Sequence, residues 1–248
     1  SGEFKCVYHL AAIPRVSYSV EEPYETTYCN VLKTVKLLEA CVKANDTNGS
    51  PRFIFSSSSS VYGGADTLPT KESEKKSPKS PYAWQKSCIE DLLVVFNELY
   101  GLDCISLRYF NVFGEGQYGD SPYSTAISAW CHAIKNDKEL RKDGTGEQSR
   151  DMCHVSNVVS ANILAGLSKT IFSAEKINIA CGDRVTNNEI LTFFEKRYGN
   201  LKIRQAPFRK GDVMHTQADI SAAKQVLGYE PLVRFWDGLQ MTVDWWKI

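Results

Sequence analysis

Two short stretches hold the residues best suited to chemistry. The first is Phe53-Ile54-Phe55 running into five serines, Ser56 to Ser60, and then Val61-Tyr62-Gly63. The second is Ser80-Pro81-Tyr82-Ala83-Trp84-Gln85-Lys86. If the second stretch is helical, Tyr82 and Lys86 stand one turn apart on one face. A strand end that offers hydroxyls to a Tyr–Lys pair suits an oxidoreductase site. A free tyrosine titrates near ~10 and is a poor base at neutral pH, but a neighbouring ammonium favours its phenolate. Tyr82 could instead be an amphipathic surface tyrosine, and the serine run a flexible linker. The flanking Phe-Ile-Phe and Val-Tyr-Gly argue against a linker.

These residues need a rigid frame, and the surrounding pattern supplies one. Phe4 to Ala12 (FKCVYHLAA) reads as a short buried parallel strand ending in small residues. Small residues there let a ligand approach the backbone, and ligands of doubly wound sheets bind at such strand ends. His9 is a ligand, a base or, more commonly at such a place, a packed residue. Pro23 opens a helix with Val31, Leu32, Val35, Leu38 and Val42 at helical spacing. A turn at 45–51 leads to a strand over 52–57, and residues 64–80 read as a solvated loop. A second helix spans Tyr82 to Tyr100 with Gly101 as its C-cap. A third strand, Asp103 to Phe110, precedes Asn111-Val112-Phe113-Gly114. Strand and helix alternate, which predicts an α/β parallel sheet. Further on, helices are predicted over 124–136, 156–169, 186–198, 219–227 and 235–247, with strands near 138–141, 149–154 and 176–180.

With 248 residues the chain can bury a substantial core as one large domain or two small ones. Its 29 basic and 29 acidic residues balance, which argues against a nucleic-acid or membrane-surface binder. No apolar run reaches the ~18 residues of a membrane span. Eight scattered cysteines include no C-x-x-C pair, which leaves a structural zinc site little support. Buried free thiols in a reducing, cytoplasmic compartment are the simpler expectation. Near its start the sequence contains no G-x-G-x-x-G or G-x-x-G-x-x-G, the loop through which dinucleotide folds approach a pyrophosphate.

The motifs HLAA, Asn30, FSSSSSVYG, SPYAWQK, LRYFNVFG, GTGEQSRDMCHV and FRKGDVMHTQADIS follow one another in this order. In combination the chain resembles the extended short-chain dehydrogenase/reductase family, and within it the nucleotide-sugar 4-epimerases of the UDP-N-acetylglucosamine type. The resemblance implies a Rossmann-like doubly wound parallel sheet, truncated at its N-terminal side, with a smaller C-terminal substrate-binding α/β lobe. Residues 1–114 would be the remaining part of the NAD-binding domain, with some later segments returning to it. Residues 115–248 would be mainly the UDP-sugar lobe. Without the glycine-rich strands, the strand near 5–11 is expected to be an exposed apolar edge.

The implied reaction is 4-epimerisation of a UDP-hexose, UDP-GlcNAc/UDP-GalNAc and also UDP-Glc/UDP-Gal, by reversible oxidation at C4 through a 4-keto sugar, with NAD as cofactor. The resemblance assigns catalysis to Ser58, Tyr82 and Lys86, with Tyr82 as base. It places NAD against Leu10, Ala11, Ala12, Asn30, Ser56, Tyr82, Lys86, Tyr109 and Phe110, although Phe110 could equally be core packing. It places substrate against Ser58, Ser59, Ser60, Asn111, Arg150, Arg209, Asp212 and Thr216. Arg150 with Asp151 could instead be a surface ion pair. Related dehydratases and decarboxylases carry a carboxylate just before Val-Tyr-Gly, whereas residues 56–60 contain no acid, which favours simple epimerisation. The small Thr216 implies room for an N-acetyl group. Ser128, Asn157 and Glu115-Gly116 depart from the family's usual residues in the substrate half. UDP-glucuronate 4-epimerisation is the alternative chemistry, and a catalytically silent fragment or scaffold the alternative class. The helices over 24–44 and 82–100 are expected to pair two copies as a homodimer.

Overall fold

The computed structural model describes residues 4–44, 50–120, 124–208 and 213–248. Its centre is a four-stranded, wholly parallel sheet. The strands are β1 (Cys6–His9), β2 (Arg52–Ser58), β3 (Cys104–Tyr109) and β8 (Ser173–Ile179), adjacent in that order. The three intervening pairs, β4 (Val112–Phe113) with β7 (Cys153–His154), β6 (Ser149–Arg150) with β9 (Val185–Thr186), and β5 (Leu140–Asp143) with β10 (Ile203–Ala206), form small separate ladders.

Strand β2 is buried on both faces because its residues alternate between two cores. Ile54 packs with Ile105, Leu107, Ile177 and Ile179 under helix α6 (Val155–Leu167) and helix α8 (Ser221–Leu227). Phe53 and Phe55 pack on the other face with Leu38, Ile89, Leu93 and Phe96. These come from helix α3 (Lys33–Lys43) and helix α4 (Pro81–Tyr100). Helix α4 begins where its sequence says it should. Ser80 accepts from the Ala83 N–H at 3.2 Å, Pro81 stands in the first turn, and Gly101 closes the helix at φ 65°. A third core around Phe113, Trp130, Phe194 and Leu239 joins helix α5 (Ala126–Lys135), helix α7 (Asn187–Tyr198) and helix α9 (Phe235–Trp246). Residues beyond 114 thus build this second core and, through β8, α6 and α8, also complete the first sheet.

Two differences from the sequence reading have physical causes. Helices α1 (Val16–Glu21) and α2 (Pro23–Thr27) precede α3, and one π-helical turn, Tyr28–Leu32, joins α2 to it. The extra residue in that turn shifts the phase of the helix. Leu32 therefore points outward at 51% exposure, while Asn30, Thr34 and Leu38 face inward. Residues 64–80 are not a freely solvated loop: Thr70 is buried and pairs with Ala218, and the Glu72 carboxylate accepts from the Asn178 N–H. Finally, β1 pairs only with β2 among the described residues. Tyr8 and Leu10 are exposed there, as are Val159, Ile163 and Leu167 of α6, in keeping with an apolar edge. No helix of the described residues is long and apolar enough to cross a membrane.

Candidate active site

The C-terminal end of β2 and the first turns of α4 bring the hydroxyls, the tyrosine and the lysine together. Ser58 leaves the strand as the N-cap of a 3-10 turn over Ser59–Tyr62, its side chain accepting from the Ser60 N–H at 3.2 Å. The Ser58 hydroxyl sits beside the Tyr82 phenol. Lys86 lies one turn further along α4. Its ammonium donates to the Ser56 carbonyl at 2.6 Å and lies 4.8 Å from the Phe55 ring centre and 5.8 Å from that of Tyr82. The Ser60 hydroxyl is buried with no hydrogen-bond partner among the described residues, and Ser59 is half-buried beside it.

Burial governs the ionisation of this group. It pushes the Tyr82 phenol up to about 12, while the Ser58 hydroxyl pulls the other way. The expected pull of Lys86 on Tyr82 does not accompany it, and the cost of burying a phenolate dominates. The same burial pushes Lys86 down to about 8, opposed by the charge of Glu90. His9 falls to about 4 through burial and the nearby Lys86 charge. Its ring is a packed, uncharged group at neutral pH, hydrogen-bonded to Thr34 at 2.8 Å and set against Phe53 and Phe55.

The residues expected to hold a cofactor separate into two kinds. Strand register places His9 opposite Phe55, so Leu10, Ala11 and Ala12 leave the sheet level with Ser56 to Ser58. Leu10 and Ala11 are exposed and Ala12 half-buried, which keeps that strand end open. Lys86 spends one of its three N–H donors on Ser56, and the others remain for a polyhydroxyl group. This donor set, beside small residues at a parallel strand end, fits the nicotinamide-ribose end of NAD. Asn30, by contrast, is committed to the frame. Its amide accepts from the Ile13 N–H at 2.7 Å, donates to the Ile13 carbonyl at 3.0 Å and donates to Gln85 at 2.8 Å. It holds the chain after β1 in place. Ser56 and Tyr109 share a 3.1 Å hydroxyl contact, with Asn162 of α6 beyond them. Phe110 is fully buried against Val61, Tyr62, Ala180 and Ala218, and is core packing in this arrangement.

The expected substrate residues gather separately. Asn111 adopts a positive φ of 24° and donates from Nδ2 to the Asp151 carbonyl at 2.9 Å and to the Thr216 hydroxyl at 3.1 Å. Arg150 extends from the same β6–β7 segment, its Nη1 donating to the Ser149 and Met214 carbonyls. Arg209 and Asp212 lie outside the described residues. Sequence reasoning missed the residue that assembles this region. Asp151 is fully buried and accepts backbone N–H bonds from Cys181, Gly182 and Ala218, each at 3.0 Å. Burial pushes its carboxyl up to about 6 against those three bonds. Its place beside Arg150 was visible, but nothing in that spacing revealed that the side chain turns inward. A groove of about 670 Å³ between Glu147, Asn188, Phe193, Lys196 and Trp236 lies elsewhere and includes none of these groups.

Comparison with known proteins agrees with this geometry. The NAD dependent epimerase/dehydratase family matches residues 1–180. A UDP-N-acetylglucosamine 4-epimerase from Methanobrevibacter ruminantium, solved with UDP-N-acetylmuramic acid, superposes with a TM-score of 0.90 at 38% identity, over 98% of this chain and 76% of that one. A UDP-glucuronic acid 4-epimerase variant from Bacillus cereus, solved with UDP-4-deoxy-4-fluoro-glucuronic acid and NAD, does so at 0.89 and 31%, over 99% and 76%. The UDP-glucuronate 4-epimerase of Thermodesulfobacterium geofontis is 32% identical over 243 residues, 97% of this chain and 72% of the relative. A Tyr–Lys pair at a parallel strand end, in a chain matched along nearly its whole length, makes this protein a member of the NAD dependent epimerase/dehydratase family.

Proposed function

We propose that this chain carries the catalytic and sugar-facing residues of an NAD-dependent UDP-hexose 4-epimerase acting on UDP-N-acetylglucosamine and UDP-N-acetylgalactosamine. The observation that carries the reading is the convergence of Ser58, Tyr82 and Lys86 at the end of β2, beside a serine turn without an acid. The Tyr82 phenolate, which a nicotinamide cation bound alongside would favour, takes the proton of the C4 hydroxyl, while Ser58 hydrogen-bonds the same oxygen and relays that proton. Lys86 orients a ribose and supplies a positive charge one turn from the phenol. When bound, NAD supplies the hydride acceptor and donor for C4. Residues Leu10 to Ala12, Ser56, Lys86 and Tyr109 would hold its nicotinamide-ribose end. Asn111 and Arg150 face the nucleotide, with the expected Arg209 and Asp212, while Ser59 and Ser60 face the sugar.

Substrate choice rests on Thr216. Its side chain is small, and its hydroxyl is already engaged by Asn111 and the Asp151 N–H. It therefore presents a methyl group rather than bulk to a C2 substituent. UDP-glucuronate epimerisation is the second reading, supported by the relatives from Thermodesulfobacterium geofontis and Bacillus cereus. Incubating the protein with NAD and either UDP-N-acetylglucosamine or UDP-glucuronate, followed by proton NMR of the anomeric signals, separates them. Formation of UDP-N-acetylgalactosamine supports the first; epimerisation of the uronate alone supports the second. Neither product from a folded, NAD-saturated sample would leave the scaffold reading.

Exposed Tyr24, Tyr28, Leu32, Trp84, Val95 and Leu99 on the helices over 24–44 and 82–100 support a homodimer through those helices. A monomer by light scattering at high concentration would refute it. Eight free cysteines support a reducing, cytoplasmic setting.

A further inference from the structure

The serine turn has to hold the Ser58 hydroxyl in place, yet a 3-10 turn has poor hydrogen-bond geometry of its own. Ser58 accepts from the Ser60 N–H at 3.2 Å, and the Gly63 N–H donates to the Ser60 carbonyl at 3.1 Å. Both ends of the turn are tied, in addition, to one buried ion pair. Glu90 of α4 is fully buried, and Arg108 of β3, 2% exposed, grips it with two bonds: Nε to Oε1 at 2.8 Å and Nη2 to Oε2 at 2.7 Å. At the entry to the turn, the Ser57 hydroxyl donates to Glu90 Oε1 at 2.6 Å. At its exit, the Tyr62 hydroxyl accepts from Arg108 Nη1 at 2.8 Å and donates to Asn178 of β8 at 2.7 Å. The guanidinium carbon of Arg108 also lies 4.8 Å from the Tyr62 ring centre.

A buried ion pair is a poor source of stability, because apolar side chains of similar volume often do as well. An apolar pair could not bond to Ser57 and Tyr62. The guanidinium is a rigid planar fork, so fixing Nε and Nη2 on the carboxylate also fixes the direction of Nη1, which meets Tyr62. The carboxylate oxygen that receives Nε has a further lone pair, and Ser57 uses it. Glu90 also stands on the helix that carries Tyr82, about two turns further on. One helix therefore bears both the tyrosine and the anchor of the turn that carries Ser58. Acid–base groups must be held to within about 0.5 Å of their working geometry, and this arrangement registers the two directly on each other.

We propose that Glu90 and Arg108 are positioning residues for this site: their ion pair clamps both ends of the serine turn, through the Ser57 and Tyr62 hydroxyls, and so holds the Ser58 hydroxyl in register with Tyr82. The proposal rests on the roles given above to Ser58 and Tyr82, but its first readout needs no turnover. Ser57→Ala, Tyr62→Phe and the double variant cut the ties and leave the bonds between Glu90 and Arg108 in place. Amide hydrogen exchange, followed by NMR in the full chain, compares the Ser60 and Gly63 N–H groups of the turn with those of Phe53 and Phe110, which are bonded within the sheet. In the double variant the turn amides should exchange about 10-fold faster, the scale of one lost hydrogen bond, while Phe53 and Phe110 exchange as in the parent. With turnover, kcat should fall about 10- to 100-fold at unchanged KM, the cost of a misplaced reacting group. Should Tyr62→Phe fail to fold with Asn178 left without its donor, Ser57→Ala alone decides, with the same direction of change. Turn amides that exchange as in the parent overturn the proposal, and so does equal acceleration of all four amides, the mark of a purely structural ion pair. A loosened turn with an unchanged kcat overturns it as well. A loosened turn in a protein whose parent epimerises neither UDP-sugar upholds the clamp and rejects the substrate reading instead.

Discussion

The two clusters of candidate site residues are built in opposite ways. Ser58, Tyr82 and Lys86 come from the end of one strand and the first turns of the next long helix. Asn111, Arg150 and Thr216 come from three segments whose outer members are 105 positions apart. In the first cluster, consecutive elements of an α/β unit carry the chemistry, so spacing along the chain nearly dictates spacing in space. In the second, a buried carboxylate, Asp151, performs the assembly by drawing three backbone N–H groups from two other segments onto itself. One cluster is held by secondary structure, the other by a single side chain. The first should therefore lose chemistry on mutation without losing its shape, and the second should lose its shape first.

The largest expected effect tests the first half of that contrast. Tyr82→Phe removes only a hydroxyl from a helix-borne ring. It should lower kcat by about 100- to 10,000-fold, the range of a lost acid–base group, with thermal stability and UDP binding nearly unchanged. Stopped assays give kcat and calorimetry gives UDP affinity. Turnover within a few-fold of the parent would remove Tyr82 from the chemistry.

Next in size is Asp151→Asn. The amide has one accepting oxygen where the carboxylate has two, so at least one of the Cys181, Gly182 and Ala218 N–H groups is left buried and unpaired. Stability should fall by about 3 kcal/mol in urea unfolding, because unpaired buried donors cost on the order of 1–3 kcal/mol each. The loss should appear as weaker UDP-sugar binding, with the Lys86 titration unmoved. Equal damage at both clusters would mean that they are one unit, and the contrast would fail.

The same contrast explains what could be read from the chain alone. The Phe-Ile-Phe strand, the Ser80–Pro81 start and the Gly101 stop are local signals, and the structure has all three in place. Asn30 looked like a ligand from its motif, yet its amide is spent on Ile13 and Gln85, partners that no local pattern announces. The pairing of the buried Glu90 carboxylate of α4 with Arg108 of β3, at 2.8 and 2.7 Å, was not legible either. An acid one turn beyond Lys86 and an arginine inside an apolar strand were the available signals, but only the packing of α4 against β3 makes them partners. The π-helical turn at Tyr28–Leu32 was invisible because its cause is tertiary, and it turned Leu32 from expected core to surface.

A smaller effect sharpens the reading of the second cluster. Thr216→Phe adds bulk where the C2 substituent is proposed to sit. It should lower kcat/KM for UDP-N-acetylglucosamine by about 10- to 100-fold relative to UDP-glucose, the scale of steric discrimination in a pocket. Thr216→Ser keeps the hydroxyl that Asn111 and the Asp151 N–H use, and should change this ratio little. If Phe lowers both sugars equally, the residue serves the loop and not the sugar.

The smallest effect returns to the first cluster and concerns pH. Packed between Phe53 and Phe55, His9 titrates near 4 rather than at its ordinary 6.5. Above pH 6.5 the ring is neutral whether the chain is folded or not, and contributes no pH dependence. Between 6.5 and 4 the unfolded chain binds a proton that the folded chain refuses, so stability falls as pH falls through that window. The ring is only partly buried, and solvent screening reduces the effect at pH 5 to about 1 kcal/mol. His9→Gln should lose that much less stability than the parent between pH 7 and pH 5, measured by urea unfolding at each pH. Carboxylates elsewhere, Asp151 among them, titrate in both proteins and cancel in the difference. An identical fall in both would mean that the His9 ring already accepts a proton in the folded chain. The strand edge beside Lys86 would then be wetter than its packing against Phe53 and Phe55 implies, and the rigidity assigned to the first cluster would stop at β2.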